Sequence, residues 1–442
     1  ARWALAALEG RLPASRRLAW ALMLSPLFTP ALLPGYAWAN VPVPWLQGDA
    51  GREAMYLLIL AARGLPLAAL ALLFAPPPPV SAEGVFCDRL LRHASLLSHF
   101  GVWIRGPSRR FAVAFGLVLF FSFLELEIAS LLYRRSWTVS IFDAQAGGAS
   151  AGSTLGMAAL PLLAQLLIAG PLAIALVRGR GRAQAGGGAA AEAAGGALGW
   201  AVLSLAAFLS TLWPLGFVCT GTMKGIDSLA VNLTFWRGIL ASLVFAIPAA
   251  AFAVLLAGVA AGGRRVRVAL VAAPLIVPGL AGPLALSLGL LWLFQRDALR
   301  WAYDSPVPLV IALTLLVLPW ALFLRLLLGR GMSEGLHASA LLAAGEPARR
   351  RRARRISWEI RGRAVFWIAS VAFLVAVFDL TAAAVLSPPA MTPVSVFLYN
   401  QAHFRSGPTL SAMFAAAILV PAILLAFGRM GAAMLSPGRD DA

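Results

Sequence analysis

PVPLVIALTLLVLPWALFLRLLLGR, residues 306–330, holds one charge before its closing arginine, Arg325, in an otherwise apolar run. Crossing a bilayer's hydrocarbon core takes about 20 consecutive apolar residues in a helix. This stretch is long enough, is rich in leucine, and does not alternate apolar with polar as a half-exposed strand would. Nine further stretches read the same way, giving ten: 18–40, 55–75, 111–133, 155–177, 198–218, 238–260, 268–294, 306–328, 364–387 and 410–430. Several contain proline (Pro26, Pro30, Pro66, Pro274, Pro278, Pro319), which membrane helices tolerate because neighbouring groups satisfy the freed carbonyls. The whole chain agrees with its parts. Of 442 residues 60% are hydrophobic and 12% charged, where a soluble chain carries about 25% charged residues. Two cysteines, Cys87 and Cys219, cannot staple a chain of this length. The expected class is all-α, a polytopic membrane protein.

The net charge is +18, and Lys224 is the only lysine among 36 basic residues. With the N-terminus placed in the cytoplasm, the basic residues sort by loop. Inside fall Arg2, Arg11, Arg16 and Arg17, then Arg89, Arg92, Arg105, Arg109 and Arg110, then Arg178, Arg180 and Arg182. Arg264, Arg265, Arg267, Arg330, the run from Arg349 to Arg363, and Arg439 follow on the same side. Outside fall only Arg52, Arg134, Arg135, Lys224, Arg237, Arg296, Arg300 and Arg405. A bias of constant sign is the positive-inside pattern, and it predicts cytoplasmic N- and C-termini. The basic N-terminal segment leads into a full-length apolar run and does not read as a cleavable signal.

The two halves match in order. SPLFTP (25–30) pairs with APLIVP (273–278), GLPLAAL (64–70) with VLPWALF (317–323), and HASLL (93–97) with HASALL (337–342). FLELEIASLL (123–132) pairs with FDLTAAAVLS (378–387), and TVSIF (138–142) with TPVSVF (392–397). The separations stay between 244 and 255 residues. The reading is two pseudo-twofold-related repeats. The first half, 1–177, holds four spans and the second, 198–442, holds six, two of them extra at its front. A Gly/Ala/Arg-rich segment, 178–197, links them as a flexible connector. Parallel repeats about an axis normal to the membrane are a common transporter architecture.

Each half carries a long basic loop on the cytoplasmic side, 76–110 and 329–363. Each loop contains a short amphipathic stretch, VFCDRLLRHASLLSHFG (85–101) and MSEGLHASALLAAG (332–345), closed by a glycine, Gly101 or Gly345. Leu336, Ala340, Leu341 and Ala344 fall on one helical face. An apolar helical face of this kind can dock in a groove of a soluble partner. This layout resembles the permeases of binding-protein-dependent ABC importers, which carry an E-A-A-x-x-x-G loop followed by I-x-L-P. SALLAAG (339–345) keeps the small residues and the glycine, and Ile356 follows a basic run; the glutamate, leucine and proline are replaced. LSPPAMTPVSVFLYNQAHF (386–404) resembles the fused two-half ferric-iron permeases, with Thr392, Tyr399 and His403 at the family's positions and Ala390 in place of its glycine.

The resemblance implies a permease subunit moving a solute that an external binding protein delivers. Ferric iron is the best guess; thiamine, phosphonate, sulfate and polyamine stay open. It implies ATPase subunits, as a homodimer, docking at Leu90, His93, Ala94, Ser95 and Gly101 and at His337, Ala338, Ser339, Ala340 and Gly345. It also implies an inner-membrane location. The chain has no GxxxxGK[ST] phosphate loop, so ATP hydrolysis is expected on another subunit, and no cofactor or metal centre is expected. The arginine run 349–355 reads as a contact to anionic lipid, at about 1 kcal/mol per residue. Nucleic acid is a poor fit, because no aromatic residues interleave the charge.

Glu125, Glu127 and Asp379 lie inside predicted spans, and Glu125 aligns with Asp379 in the repeat. A carboxylate at that depth faces a partner or a watery path. They are therefore candidates for the translocation path, or else structural hydrogen-bond acceptors, with Arg63 as a counter-charge. These carboxylates also keep open an ion-coupled secondary transporter. A membrane-embedded lipid enzyme fits less well, because no convergent polar cluster is visible.

Overall fold

The computed structural model describes residues 13–74, 108–178, 195–262, 277–328, 358–404 and 407–434, together with Ala4 and Cys87. The described residues are helical and contain no strand. In chain order the helices are α1 (Pro13–Phe28), α2 (Leu32–Ala39), α3 (Asp49–Phe74), α4 (Ser108–Phe123), α5 (Glu127–Leu131) and α6 (Trp137–Ala146). There follow α7 (Ala151–Arg178), α8 (Gly195–Ala207), α9 (Trp213–Ala230), α10 (Leu233–Gly262), α11 (Pro283–Phe294) and α12 (Val307–Leu328). The last are α13 (Arg363–Phe378), α14 (Thr381–Leu386), α15 (Val394–Phe404) and α16 (Pro408–Met434). A π-turn, Phe208–Leu212, joins α8 to α9.

Six helices are long and apolar enough to cross a membrane: Asp49–Leu73, Ala151–Ile168, Ala197–Ala230, Leu233–Ala260, Val307–Arg325 and Pro408–Gly431. Counting α1 and α2 as one broken span makes seven. The chain is thus built as a multi-pass membrane protein. Each of the ten apolar stretches of the sequence contains helix, but not all contain one full span. The stretch 18–40 is two helices bent by 85°. The stretches 111–133, 268–294 and 364–387 hold shorter apolar helices, Phe111–Phe123, Pro283–Phe294 and Arg363–Phe378. A 12-residue helix such as α11 reaches only ~18 Å. The reason lies in the residues at the breaks. Pro30 ends α1, a carboxylate stands at the end of α4 and of α13, and Gly282 precedes α11 at φ +86°, a backbone state that glycine adopts freely.

The helices pack into two compact units that cut across the sequence halves. The first comprises residues 1–140 and 159–217, the second 141–158 and 218–442. In the first, α1 packs on α8 and α3, α3 on α4, and α2 on α5. Its core gathers Met23, Met55, Ile59, Ile128, Leu203 and Leu209. In the second, α10 packs on α12 and α13, α12 on α13, and α11 on α14. α15 lies against α10 and α16.

Close crossings depend on missing side chains. A Cβ on Gly64 of α3 would lie 2.6 Å from a Val118 methyl of α4. A Cβ on Gly279 would lie 2.1 Å from the Leu315 carbonyl oxygen of α12. In the second unit, Gly221 and Gly225 let α9 reach α16. A Cβ there would stand 2.4 Å from Ser411 Oγ and 2.2 Å from the Pro408 carbonyl oxygen, respectively. Large apolar side chains meanwhile point outward along the long helices, among them Leu160, Leu167, Leu240, Leu255 and Val259. Such outward apolar faces suit helices whose surroundings are hydrocarbon.

Candidate functional site

In the first unit a polar seam runs through the apolar helices, and it begins at a proline. Pro30 has no N–H, and its ring forces Thr29 out of the helical backbone. α1 therefore stops at Phe28, and the Thr29 carbonyl loses its helical donor. Arg63, on α3, supplies one: its Nη1 donates to the Thr29 carbonyl at 2.7 Å. The Thr29 hydroxyl donates to the Ser25 carbonyl at 2.8 Å and lies 2.8 Å from the Thr211 hydroxyl. With its one proton engaged, Thr29 accepts and Thr211 donates.

Thr211 sits in the π-turn 208–212, where the backbone pairing is shifted and carbonyls are left over. Trp38 takes one of them. Its Nε1 donates to the Leu209 carbonyl at 2.8 Å, while its ring stacks on Trp213 with centroids 5.6 Å apart. Ser210, fully buried, has no partner for its hydroxyl among the described residues. Trp38→Phe keeps most of the packing and strands the Leu209 carbonyl. It is expected to lower stability by about 1–2 kcal/mol, read as a drop in the thermal midpoint of the detergent-purified chain.

The carboxylates enter from the break between α4 and α5. Glu125 follows the last turn of α4, and its two carboxylate oxygens accept the backbone N–H groups of Ile128 (2.5 Å) and Ala129 (3.1 Å). These are orphan donors of the first turn of α5, so Glu125 acts as a cap. Glu127 is the first residue of α5. Both glutamates interact electrostatically with Arg63. The carbonyls freed at the end of α4 are taken up by α6: Trp137 Nε1 donates to Phe123 at 2.8 Å and Thr138 Oγ1 to Glu125 at 2.7 Å. Past α5, Tyr133 takes a left-handed backbone, φ +56°. Arg134 then reaches back to α3, 2.6 Å from Glu53 Oε2 and 3.4 Å from Asp49 Oδ1. Arg52 lies over the Tyr133 ring at 5.2 Å.

The second unit repeats part of this pattern. α13 ends at Phe378, and Asp379 Oδ1 accepts the Ala382 N–H at 2.7 Å, capping α14. Ser395, near the start of α15, donates to the Asp379 carbonyl at 3.1 Å, as Thr138 does to Glu125. Ser242 of α10 accepts the Val394 N–H at 2.8 Å and holds the start of α15 in place. Among the described residues no arginine faces Asp379 as Arg63 faces Glu125: the position matched to Arg63 by the alignment of 64–70 with 317–323 is Leu316. Arg325, on α12, lies over Gly258 of α10.

α15 is not one of the spanning helices, and its polar end carries His403. The imidazole meets the Tyr399 ring edge to face at 4.6 Å, and Tyr399 in turn meets Phe142 at 6.1 Å. Burial lowers the His403 pKa below the usual histidine value, and Asp143 pulls it partly back up.

Of the residues singled out in the sequence, Glu125 and Glu127 thus come together around Arg63, and Asp379 belongs to the second unit. Leu90, His93, Ala94, Ser95, Gly101, His337, Ala338, Ser339, Ala340 and Gly345 lie outside the described residues. Among the described residues no group of three or more His, Cys, Asp or Glu side chains could hold a metal ion. Thr29, Trp38, Ser210 and Thr211 are additions from the structure. Pro30 signalled the break, but nothing in sequence joined Thr29 to a partner 182 positions away.

No protein-family model matches the chain, and no curated protein matches it.

Proposed function

We propose that this chain is the membrane-spanning permease subunit of an ATP-driven importer, with both halves fused and ten spans arranged as two repeats. Separate ATPase subunits, paired as a homodimer, drive it from the cytoplasmic side of the inner membrane, the side on which both termini lie. An external binding protein delivers the solute, with ferric iron the best guess.

The observation that supports this reading most is the pair of breaks. At each, a helix ends on a carboxylate, the carboxylate caps a helix of five or six residues, and a hydroxyl from the next helix bonds the carbonyl of that same carboxylate residue. These are segments that the sequence alignment matched for independent reasons. Two segments that share a sequence order and a local hydrogen-bond scheme favour a duplicated permease over chance similarity of alanine-rich helices. Broken helices of this kind are also where transporters expose backbone groups to a solute.

The expected result is co-purification of a stoichiometric ATPase with the tagged full chain, and ATP-dependent ferric-iron uptake by vesicles holding both. Exchanging Gly345 or Ala340 for a bulky charged residue is expected to release the ATPase. A chain that purifies without an ATPase, and whose uptake follows a proton gradient alone, would replace this proposal. The ion-coupled carrier is the reading that would take its place, and the Arg63, Glu125 and Glu127 cluster is the observation favouring it.

A further inference from the structure

Arg363 opens α13 and Arg429 lies in the last two turns of α16, so each stands at the end of an apolar helix. The two helices pack on each other within the second unit, and at this end a Cβ on Gly428 would lie 3.6 Å from the Phe366 ring. Trp367 joins the two arginines. The Arg429 guanidinium lies over its ring at 5.6 Å, a cation–π contact. Arg363, four residues before Trp367, shares its face of α13. Phe366 braces the indole, with ring centroids 5.7 Å apart. Arg363, Trp367 and Arg429 are all exposed. Neither arginine forms an ion pair among the described residues. Glu359 stands one turn before Arg363, and the two arginines outweigh its charge.

An apolar strip leads away from these charges along both helices. On α13, Val371 and Leu374 continue the face of Arg363 and Trp367 at i+8 and i+11, and both are half-buried. On α16, Ala426 and Ala422 continue the flank of Arg429 at i−3 and i−7, and both are exposed. Their short side chains leave room beside Val371 and Leu374. A guanidinium at the end of a membrane helix reaches the phosphate layer while its stem stays among apolar groups. The planar fork of arginine matches phosphate oxygens, and an indole ring favours the headgroup level. Basic recesses between membrane helices take acidic lipid headgroups. A free anion would use the two charges and leave the strip bare. One molecule that carries a phosphate and acyl chains uses both.

We infer that this end of α13 and α16 binds an anionic phospholipid, its phosphate held by Arg363 and Arg429, Trp367 at the glycerol level and an acyl chain along the strip. The site requires only that the chain span a membrane, and it stands apart from the permease reading. The full chain, with Cys87→Ser and Cys219→Ser as background, receives either Ala422→Cys or, as a control, Leu160→Cys, exposed on α7. Each thiol carries a bimane, and the protein is reconstituted in phosphatidylcholine vesicles. A small share of the lipid bears an acyl-chain nitroxide, on phosphatidylglycerol in one series and on phosphatidylcholine in the other. At 422 the labelled phosphatidylglycerol is expected to quench several-fold more efficiently than labelled phosphatidylcholine at equal mole fraction; at 160 the two should quench alike. Arg363→Gln with Arg429→Gln is expected to make the two lipids equal at 422 and to leave quenching by phosphatidylcholine as it was. Exchanging chloride for inorganic phosphate at equal ionic strength should leave the preference in place. Four results would overturn the site: equal quenching at 422 with both arginines present, the same preference at 160, a preference that survives the double substitution, or its loss to inorganic phosphate, which would make the patch a free-phosphate site. The comparison of 422 with 160 keeps both arginines, so it decides the matter even where the substituted chain does not fold.

Discussion

Glu125→Ala is expected to lower the stability of the chain by about 3 kcal/mol or more, because it removes two things together. The first is a cap: the N–H groups of Ile128 and Ala129 lose their acceptor in a region with little water to replace it. A lost cap costs about 1 kcal/mol. The second is a negative charge facing Arg63. Removing one member of a buried charged set costs more than the set contributes, about 3–5 kcal/mol, because the remaining charge is left in a poor solvent. Glu127 still faces Arg63, which holds the total toward the lower end of that range. Asp379→Ala is the internal comparison. It removes a cap with no arginine behind it among the described residues, so its cost should stay near 1 kcal/mol. Unfolding of purified protein in mixed detergent micelles, followed by circular dichroism, reads both. Equal losses in the two variants would show that the charge of Arg63 plays no part. Arg63→Met combined with Glu125→Gln should cost less than the sum of the single changes, since the two sites are coupled.

Gly225→Val is expected to destabilise by about 2–4 kcal/mol through overpacking. The Cβ would stand 2.2 Å from the Pro408 carbonyl oxygen, 2.4 Å from its carbon and 2.7 Å from the Thr409 nitrogen. All three are backbone atoms, so no side-chain rotation relieves the clash, and α9 and α16 must separate. That separation forfeits the dispersion contacts that hold helices together where lipid offers no hydrophobic gain. Gly216, earlier in the same helix, is the control. A Cβ there meets nothing within 4 Å. Gly216→Ala should leave stability unchanged or raise it by up to about 1 kcal/mol, because alanine is the better helix former. The same unfolding measurement separates the two outcomes; a Gly225 variant as stable as the Gly216 variant would contradict the close crossing.

Much of the fold is legible in the residues because long apolar runs have few alternatives. A run such as 233–260 has to satisfy its backbone internally, and a helix is the simplest way to do so. The breaks are harder to read. Glu125 and Asp379 stand out in the sequence as charges inside spans, and that reading treats the helix as continuous. In the structure each lies where a helix has stopped and another begins. A carboxylate three residues before an orphan N–H of the first turn is a start signal, and it competes with the hydropathy of the flanking residues. The apolar run hid it. The π-turn at 208–212 had no local signature beyond Ser210 and Thr211, because its partners, Thr29 and Trp38, come from far along the chain. Arg63 was visible as a counter-charge, but its bond to the Thr29 carbonyl was not, since a backbone acceptor carries no residue type.

The interleaving of the two units has a consequence for how the chain is made. Residues 141–158 leave the ribosome early yet belong with segments from 218 onward, and residues 195–217 complete a unit whose other parts were made long before. Neither unit is finished when the glycine-rich connector emerges. A gene severed at that connector would therefore yield two polypeptides that each lack part of their own packing, and the pair would be recovered only when both are synthesised in the same membrane.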